Sequence, residues 1–129
     1  MNSEKAELVN IRIANAKKTL KEVSILIENE LWNTAVNRLY YACFYAVTAL
    51  LHNFELDAKT HSGVQNVFGL NFIKTGIISI ESGKFFTTIF EMRQDADYED
   101  LVEYEKEDVM NLLEPTNLLI AQIENVLSQ

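Results

Sequence analysis

The sequence predicts an all-α fold, a bundle of four main helices with one shorter helix. Three observations carry that expectation. Apolar residues recur at steps of three and four over long stretches, the spacing of one face of a helix. Four glycines and one proline in 129 residues are too few turn-formers for a strand-rich chain. With 48% hydrophobic residues, a chain of this length can bury a core without a disulfide or a metal to staple it. A single domain over residues 1–129 is expected.

The first helix is expected from about Glu4 to Glu30, with Val9, Ile13, Ala16, Leu20, Val23 and Ile27 on one stripe and the lysines outward. The second, about Trp32 to Asn53, is apolar on most of its circumference between Leu39 and Leu51, so it is the candidate central helix. One line on it differs: Arg38, Tyr41, Tyr45, Thr48 and His52 carry most of its polar side-chain atoms. Phe54 to Lys59 reads as a loop. A shorter helix follows, with Val64, Val67, Phe68 and Phe72 apolar, and Ser62 with Gln65 fits a capping box at its start.

Gly76 and Gly83 bracket an irregular connection, Ile77 to Ser82. The fourth helix is expected from about Lys84 to Ala96, with Phe86, Ile89, Phe90 and Arg93 on one face, and the acids after Asp95 form a loop or a frayed end. The last helix, about Glu105 to Leu127, turns Leu112, Leu113, Thr116, Leu119, Ile120, Ile123 and Val126 inward. Pro115 predicts a kink or a restart there, because it removes one backbone donor.

Charge narrows the function. The net charge is −8, and residues 91–108 hold nine acids against Arg93 and Lys106, so the remainder is close to neutral. Binding of nucleic acid through bulk positive charge is therefore not expected, and contact with a polyanion would have to be local. Cys43 is the only cysteine and lies in an apolar run, which predicts a buried thiol. The longest apolar region, Leu39 to Leu51, falls short of the roughly 20 residues that span a bilayer. With no leader-like opening, the protein is expected in the cytoplasm.

Two clusters are candidate sites. Arg93 and Asp97 stand four apart on a helix, with Tyr98 beside them. They form either an ion pair closing the helix end or a phosphate-contacting site, for which the planar fork of arginine is suited. Arg38, Tyr41 and Tyr45 form the other, with Arg38 paired to a carboxylate of the acidic stretch or contacting a ligand or partner. His52 lies about 21 Å along the same helix from Arg38 and cannot share one small site with it. His61 precedes a helix start, where it anchors a loop or assists in phosphate binding. Asp95, Asp97, Glu99 and Asp100 lack the glycine and glutamate of an EF-hand loop and read as a solvated acidic face. No phosphate-binding glycine loop, zinc ligand set or catalytic triad is present, so no metal or cofactor is expected.

Three stretches, in this order, carry a resemblance: Asn37-Arg38-Leu39-Tyr40-Tyr41-Ala42-Cys43-Phe44-Tyr45-Ala46, Lys59-Thr60-His61-Ser62-Gly63-Val64, and Arg93-Gln94-Asp95-Ala96-Asp97-Tyr98. Over nearly the whole chain the sequence resembles the HEPN family (higher eukaryotes and prokaryotes nucleotide-binding), and within it the small single-domain prokaryotic branch. The resemblance implies an up-and-down bundle, a homodimer, and a minimal nucleotidyltransferase as partner in a toxin-antitoxin-like pair. It also implies nucleotide or RNA contact, at Arg38, Tyr41, His61, Arg93, Asp97 and Tyr98 as candidate ligand-binding residues. Toxin-like members of the family carry a ribonuclease motif of Arg, four to six residues, then His. Here the positions after Arg93 hold Tyr98, Glu99 and Asp100 instead, and neither histidine follows an arginine at that distance. No catalytic residue is therefore assigned. The expected function is a non-catalytic partner module. A divergent ribonuclease using His61 or Tyr98, or an assembly adaptor without a ligand, are the alternatives.

Overall fold

A computed structural model describes residues 3–98 and 102–129. The helices are α1 (Ser3–Glu28), α2 (Trp32–Asn53), α3 (His61–Phe68), α4 (Ile80–Tyr98) and α5 (Lys106–Leu127). A π-helical turn, Gly69–Ile73, continues α3. Neither this turn nor its place at the end of the short helix was expected from the sequence. Glu99, Asp100 and Leu101 lie outside the described residues, so the acidic stretch is described only in part.

Side-chain pairings give the direction of each helix. Arg12 meets Thr48, and the two are equally far along the chain from the turn at residues 29–31, so α1 and α2 run antiparallel. Asn37 meets Asp97 while Tyr41 meets Arg93, so α2 and α4 are also antiparallel. Gln122 meets Ser82, and Tyr104, just before α5, reaches Met92, which turns α5 back against α4. The four long helices thus alternate up and down. Glu30, at φ 57°, supplies the left-handed residue that turns the chain out of α1.

As its apolar circumference required, α2 is central and packs on α1, α3, α4 and α5. Leu39, Cys43, Ala46, Val47 and Leu50 are fully buried along it. They join Ala16 and Val23 of α1, Phe86 and Ile89 of α4, and Leu119 and Ile123 of α5 in one buried cluster. At about 1.5–3 kcal/mol per fully buried large apolar side chain, this cluster is the main stabilising term. The Cys43 thiol is buried, as expected, 3.8 Å from the Thr116 hydroxyl, and burial pushes its pKa up to about 12. It is an inert packing group.

Two local expectations are corrected, and of the kink or restart expected at Pro115 the restart is excluded. The cap of α3 is Thr60, whose hydroxyl accepts from the Gly63 N–H at 2.9 Å; the Ser62–Gln65 box does not form, and His61 and Ser62 already lie inside the helix. The fourth helix starts at Ile80 and runs through Gly83 to Tyr98. Ser79 opens it, its hydroxyl accepting from the Ser82 N–H at 3.2 Å. Gly83 is there for packing: a Cβ at that position would lie 2.9 Å from Cγ1 and Cγ2 of Ile73, so glycine lets α4 approach the π-helical turn. Finally, α5 runs without restart through Pro115. The carbonyl freed by proline, that of Asn111, belongs to an exposed residue where water can reach it. The start of α5 is fixed by a reciprocal capping box between Glu105 and Asp108.

Candidate functional site

The second helix presents Arg38, Tyr41 and Tyr45 on one line because they are spaced by three and four residues. The last turns of α4 pass this line in the opposite direction and bring Arg93, Asp97 and Tyr98 against it. The start of α3 brings His61. All six candidate residues of the sequence therefore meet around the Tyr40–Tyr41 pair, at one side of the central helix.

Arg93 is the inner charge, its side chain 12% exposed. Nη2 donates to the Tyr41 hydroxyl at 2.9 Å, and Nε lies 3.0 Å from Oδ2 of Asp97. That Nε is shut off from solvent, and its N–H is not aimed at the carboxylate, so the contact is an ion pair without a hydrogen bond. The guanidinium carbon also lies 5.5, 5.3 and 5.9 Å from the ring centres of Tyr40, Tyr41 and Tyr98. Each such cation–π contact contributes about 0.5–2 kcal/mol, more where water is excluded. Arg93 thus uses the Tyr41 hydroxyl and the Asp97 carboxylate together.

Arg38 is the outer charge, and Glu99 and Asp100 of the acidic stretch expected to pair with it lie outside the described residues. Among the described residues it has no carboxylate partner. Its Nε donates to Oδ1 of Asn37 at 3.1 Å, and the Nδ2 of Asn37 donates to both carboxylate oxygens of Asp97, at 3.3 and 3.1 Å. Asn37 is thus a relay, its amide oxygen toward one arginine and its amide nitrogen toward the acid that neutralises the other. The Arg38 guanidinium carbon stands 5.0 Å from the Tyr41 ring centre. Its two terminal nitrogens have no partner among the described residues. A half-buried, oriented guanidinium whose terminal nitrogens are unpaired among the described residues suits a bidentate contact to phosphate or carboxylate.

His61 forms the third side. Tyr40 is fully buried, and its hydroxyl lies 2.6 Å from Nδ1 of His61. Burial holds the Tyr40 hydroxyl well above its ordinary pKa, so it stays protonated and needs an acceptor; His61 is its only partner among the described residues. The O–H therefore donates to Nδ1, which leaves the imidazole proton on Nε2. The imidazole stacks on Phe44 with ring centres 4.4 Å apart. Burial, and after it the charge of Arg93, holds the imidazole below its ordinary pKa of 6.5. His61 is accordingly a neutral ring in a packed position, with its basic nitrogen already occupied.

Sequence reasoning did not single out Asn37, Tyr40 and Phe44 as site residues. Tyr40 left a signal: a phenol on the most apolar helix must find a partner for its hydroxyl. Tyr98 is 72% exposed, and its ring centre stands 5.9 Å from the Arg93 guanidinium carbon. His52 is elsewhere, paired with Asp57 at 3.0 Å, as its distance along α2 required. Among the described residues no group of His, Cys, Asp and Glu could hold a metal ion, and no helix is long and apolar enough to cross a membrane.

An up-and-down bundle with this polar cluster on its central helix is the architecture expected from the three sequence stretches. The HEPN domain family profile matches residues 9–126, and the chain belongs to that family. It is 38% identical over 125 residues to a UPF0332 protein of Thermotoga maritima, covering 97% of this chain and 95% of that one. It is 35% identical over 115 residues to a Methanocaldococcus jannaschii protein named "Putative toxin MJ0142", covering 89% of this chain and 78% of that one.

Proposed function

We propose that this chain is a dimeric partner module of a minimal nucleotidyltransferase in a toxin-antitoxin-like pair, contacting nucleotide or RNA phosphate through Arg38 without cleaving it. One observation carries the reading: the Arg38 guanidinium is oriented by Asn37 and the Tyr41 ring, and its terminal nitrogens have no partner among the described residues. Phosphate recognition by a guanidinium with an aromatic face alongside is the local chemistry that a chain of net charge −8 needs in order to hold a nucleotide. Arg93, by contrast, is committed to Tyr41 and Asp97 and positions the site. The name of the Methanocaldococcus jannaschii relative supports the toxin-like half of the reading.

The divergent ribonuclease is the weaker reading. A general base needs a free basic nitrogen within reach of the attacked proton. In His61 that nitrogen, Nδ1, is taken by Tyr40.

Dimerisation is supported by apolar surface. A groove between α4 and α5 is lined by Phe85, Met110, Pro115 and Leu118, and Met110 and Leu118 are 42% and 49% exposed. A second copy covering this groove removes that surface from water.

Fluorescence anisotropy with a labelled, unstructured single-stranded RNA tests the reading. Binding by the natural chain and loss of about tenfold or more in Arg38→Gln, with intact RNA recovered afterwards, is the expected result. Equal binding by both proteins defeats the assignment of Arg38. Robust cleavage defeats the non-catalytic reading.

A further inference from the structure

The outward stripe of α4 keeps its charges in two separate halves. Ile80, Lys84, Thr87, Thr88, Glu91 and Asp95 follow one another at helical spacing, and all are exposed. The cation lies in the first half and the acids in the second, with the two threonines between them. We propose that this stripe is an antiparallel contact with α4 of a second copy of the chain, in which Lys84 of each copy pairs with Glu91 of the other. The inference rests on the dimer reading above and gives that dimer its orientation.

The stripe complements itself under a two-fold axis. Lys84 and Glu91 stand equally far from the midpoint between Thr87 and Thr88, as do Ile80 and Asp95. An axis through that midpoint lays Lys84 on Glu91 and Glu91 on Lys84, with the short threonine side chains at the crossing. A contact between identical patches requires such a surface. Within one chain the two charges cannot serve each other, being two helical turns apart, about 10.5 Å along the axis. Neither has a partner among the described residues.

The rest of the charge fixes the direction. Residues 91–108 hold nine acids against Arg93 and Lys106, so the C-terminal end of α4 is strongly negative. Its last turn carries acids and no cation, the order that the helix dipole disfavours. A parallel pairing would set these two ends together and Lys84 against Lys84. The antiparallel pairing moves them to opposite sides of the axis. Each then faces the start of the other α4, where Lys74 and Lys84 line one recess. Lys74, too, has no partner among the described residues.

Apolar surface extends the contact at its ends and along one side. Ile80 is 60% exposed near the start of α4 and Tyr98 is 72% exposed at its end, so antiparallel packing brings these two ends together. Lys84 and Thr88 also line the α4–α5 groove, which places the exposed Met110 and Leu118 at the border of the same interface. Glu81 stands off the stripe on that side.

Sedimentation velocity over a range of concentrations measures the dimer dissociation constant and tests the pairing. Lys84→Glu and Glu91→Lys each replace two attractions with two repulsions, because the symmetry repeats the change. Each should raise the dissociation constant by about tenfold or more, with helical content by circular dichroism unchanged. A chain carrying both substitutions should return to within about threefold of the natural value. An equimolar mixture of the two single variants should form the dimer that neither forms alone, since both crossed pairs are then attractive. Lys18→Glu, a matched reversal on the exposed face of α1, should leave the dimer unchanged. A monomeric natural chain defeats the dimer reading and this inference with it. A dimer that withstands either single reversal overturns the inference alone and leaves the dimer on another face. So does a doubly substituted chain, or a mixture, that stays monomeric.

Discussion

Arg93 of α4 donates from Nη2 to the Tyr41 hydroxyl of α2 at 2.9 Å, and this bond joins the two helices where the charged cluster meets the core. With its side chain 12% exposed and Asp97 at 3.0 Å, Arg93 belongs to a nearly buried pair. Removing one partner of such a pair strands the other. Arg93→Ala is therefore expected to lower stability by about 3 kcal/mol. Urea denaturation measures it. Arg93→Lys should retain part of that stability, since the charge remains beside Asp97, but a lysine cannot serve Tyr41 and Asp97 together as the planar fork does. A variant that melts like the natural protein would show that Arg93 is not a structural charge.

Asn37 has the opposite balance, small in energy and large in geometry. Asn37→Asp would replace its amide donor with an acceptor and set a second carboxylate against Asp97. The expected cost is about 1–2 kcal/mol, a lost hydrogen bond with added repulsion. Arg38 would keep an acceptor for Nε, but a full negative charge beside it would neutralise the guanidinium and compete with phosphate for it. RNA affinity should fall further than the change in the folded fraction explains. Anisotropy and urea midpoints on the same preparation separate the two effects. Unchanged affinity would show that Arg38 needs no help from Asn37.

These residues also mark how far the sequence could be read. The long helices were legible because burial imposes its period on them: α2 was expected from Trp32 to Asn53, and it occupies those residues. The six candidate residues were legible as types, since arginines and tyrosines on otherwise apolar stripes need partners. What was not legible was which atoms meet. Asn37 is one position before Arg38 and looks like an ordinary polar residue until α4 supplies Asp97. Gly83 looked like a helix boundary because an isolated glycine usually is one; only its distance to Ile73, ten residues away and across a turn, shows it to be a packing position. The π-helical turn leaves no period of its own in five residues.

The dimer proposal makes a simple demand on mass. Light scattering at micromolar concentration should give twice the chain mass of 14.8 kDa. Leu118 is 49% exposed on the α4–α5 groove, so Leu118→Arg leaves the core alone while placing a charge in the proposed interface. That variant should run as a monomer with its helical content unchanged. A monomeric natural chain defeats the proposal outright. A dimeric Leu118→Arg moves the interface to another face.

His61 gives the fold a dependence on acid that can be worked out in advance. Burial first, and then the charge of Arg93, depress its pKa below the ordinary 6.5, so the unfolded chain takes up a proton at a pH where the folded chain does not. Stability then rises with pH across that interval, because the unfolded state binds more protons. Its contribution is fully present above pH 6.5 and is lost progressively as the pH falls through 6.5 and then through the folded-state value. Protonation also has a local cost: a proton on Nδ1 removes the acceptor of the buried Tyr40 hydroxyl, 2.6 Å away. Urea midpoints measured stepwise from neutral to mildly acidic pH should show this loss. His61→Gln removes the titrating group and should flatten the part of the curve that His61 causes, leaving the slope of the carboxylates at lower pH. If the slope near pH 6 is the same in both proteins, His61 is not the group that titrates, and its packed neutral position against Phe44 and Tyr40 must be abandoned.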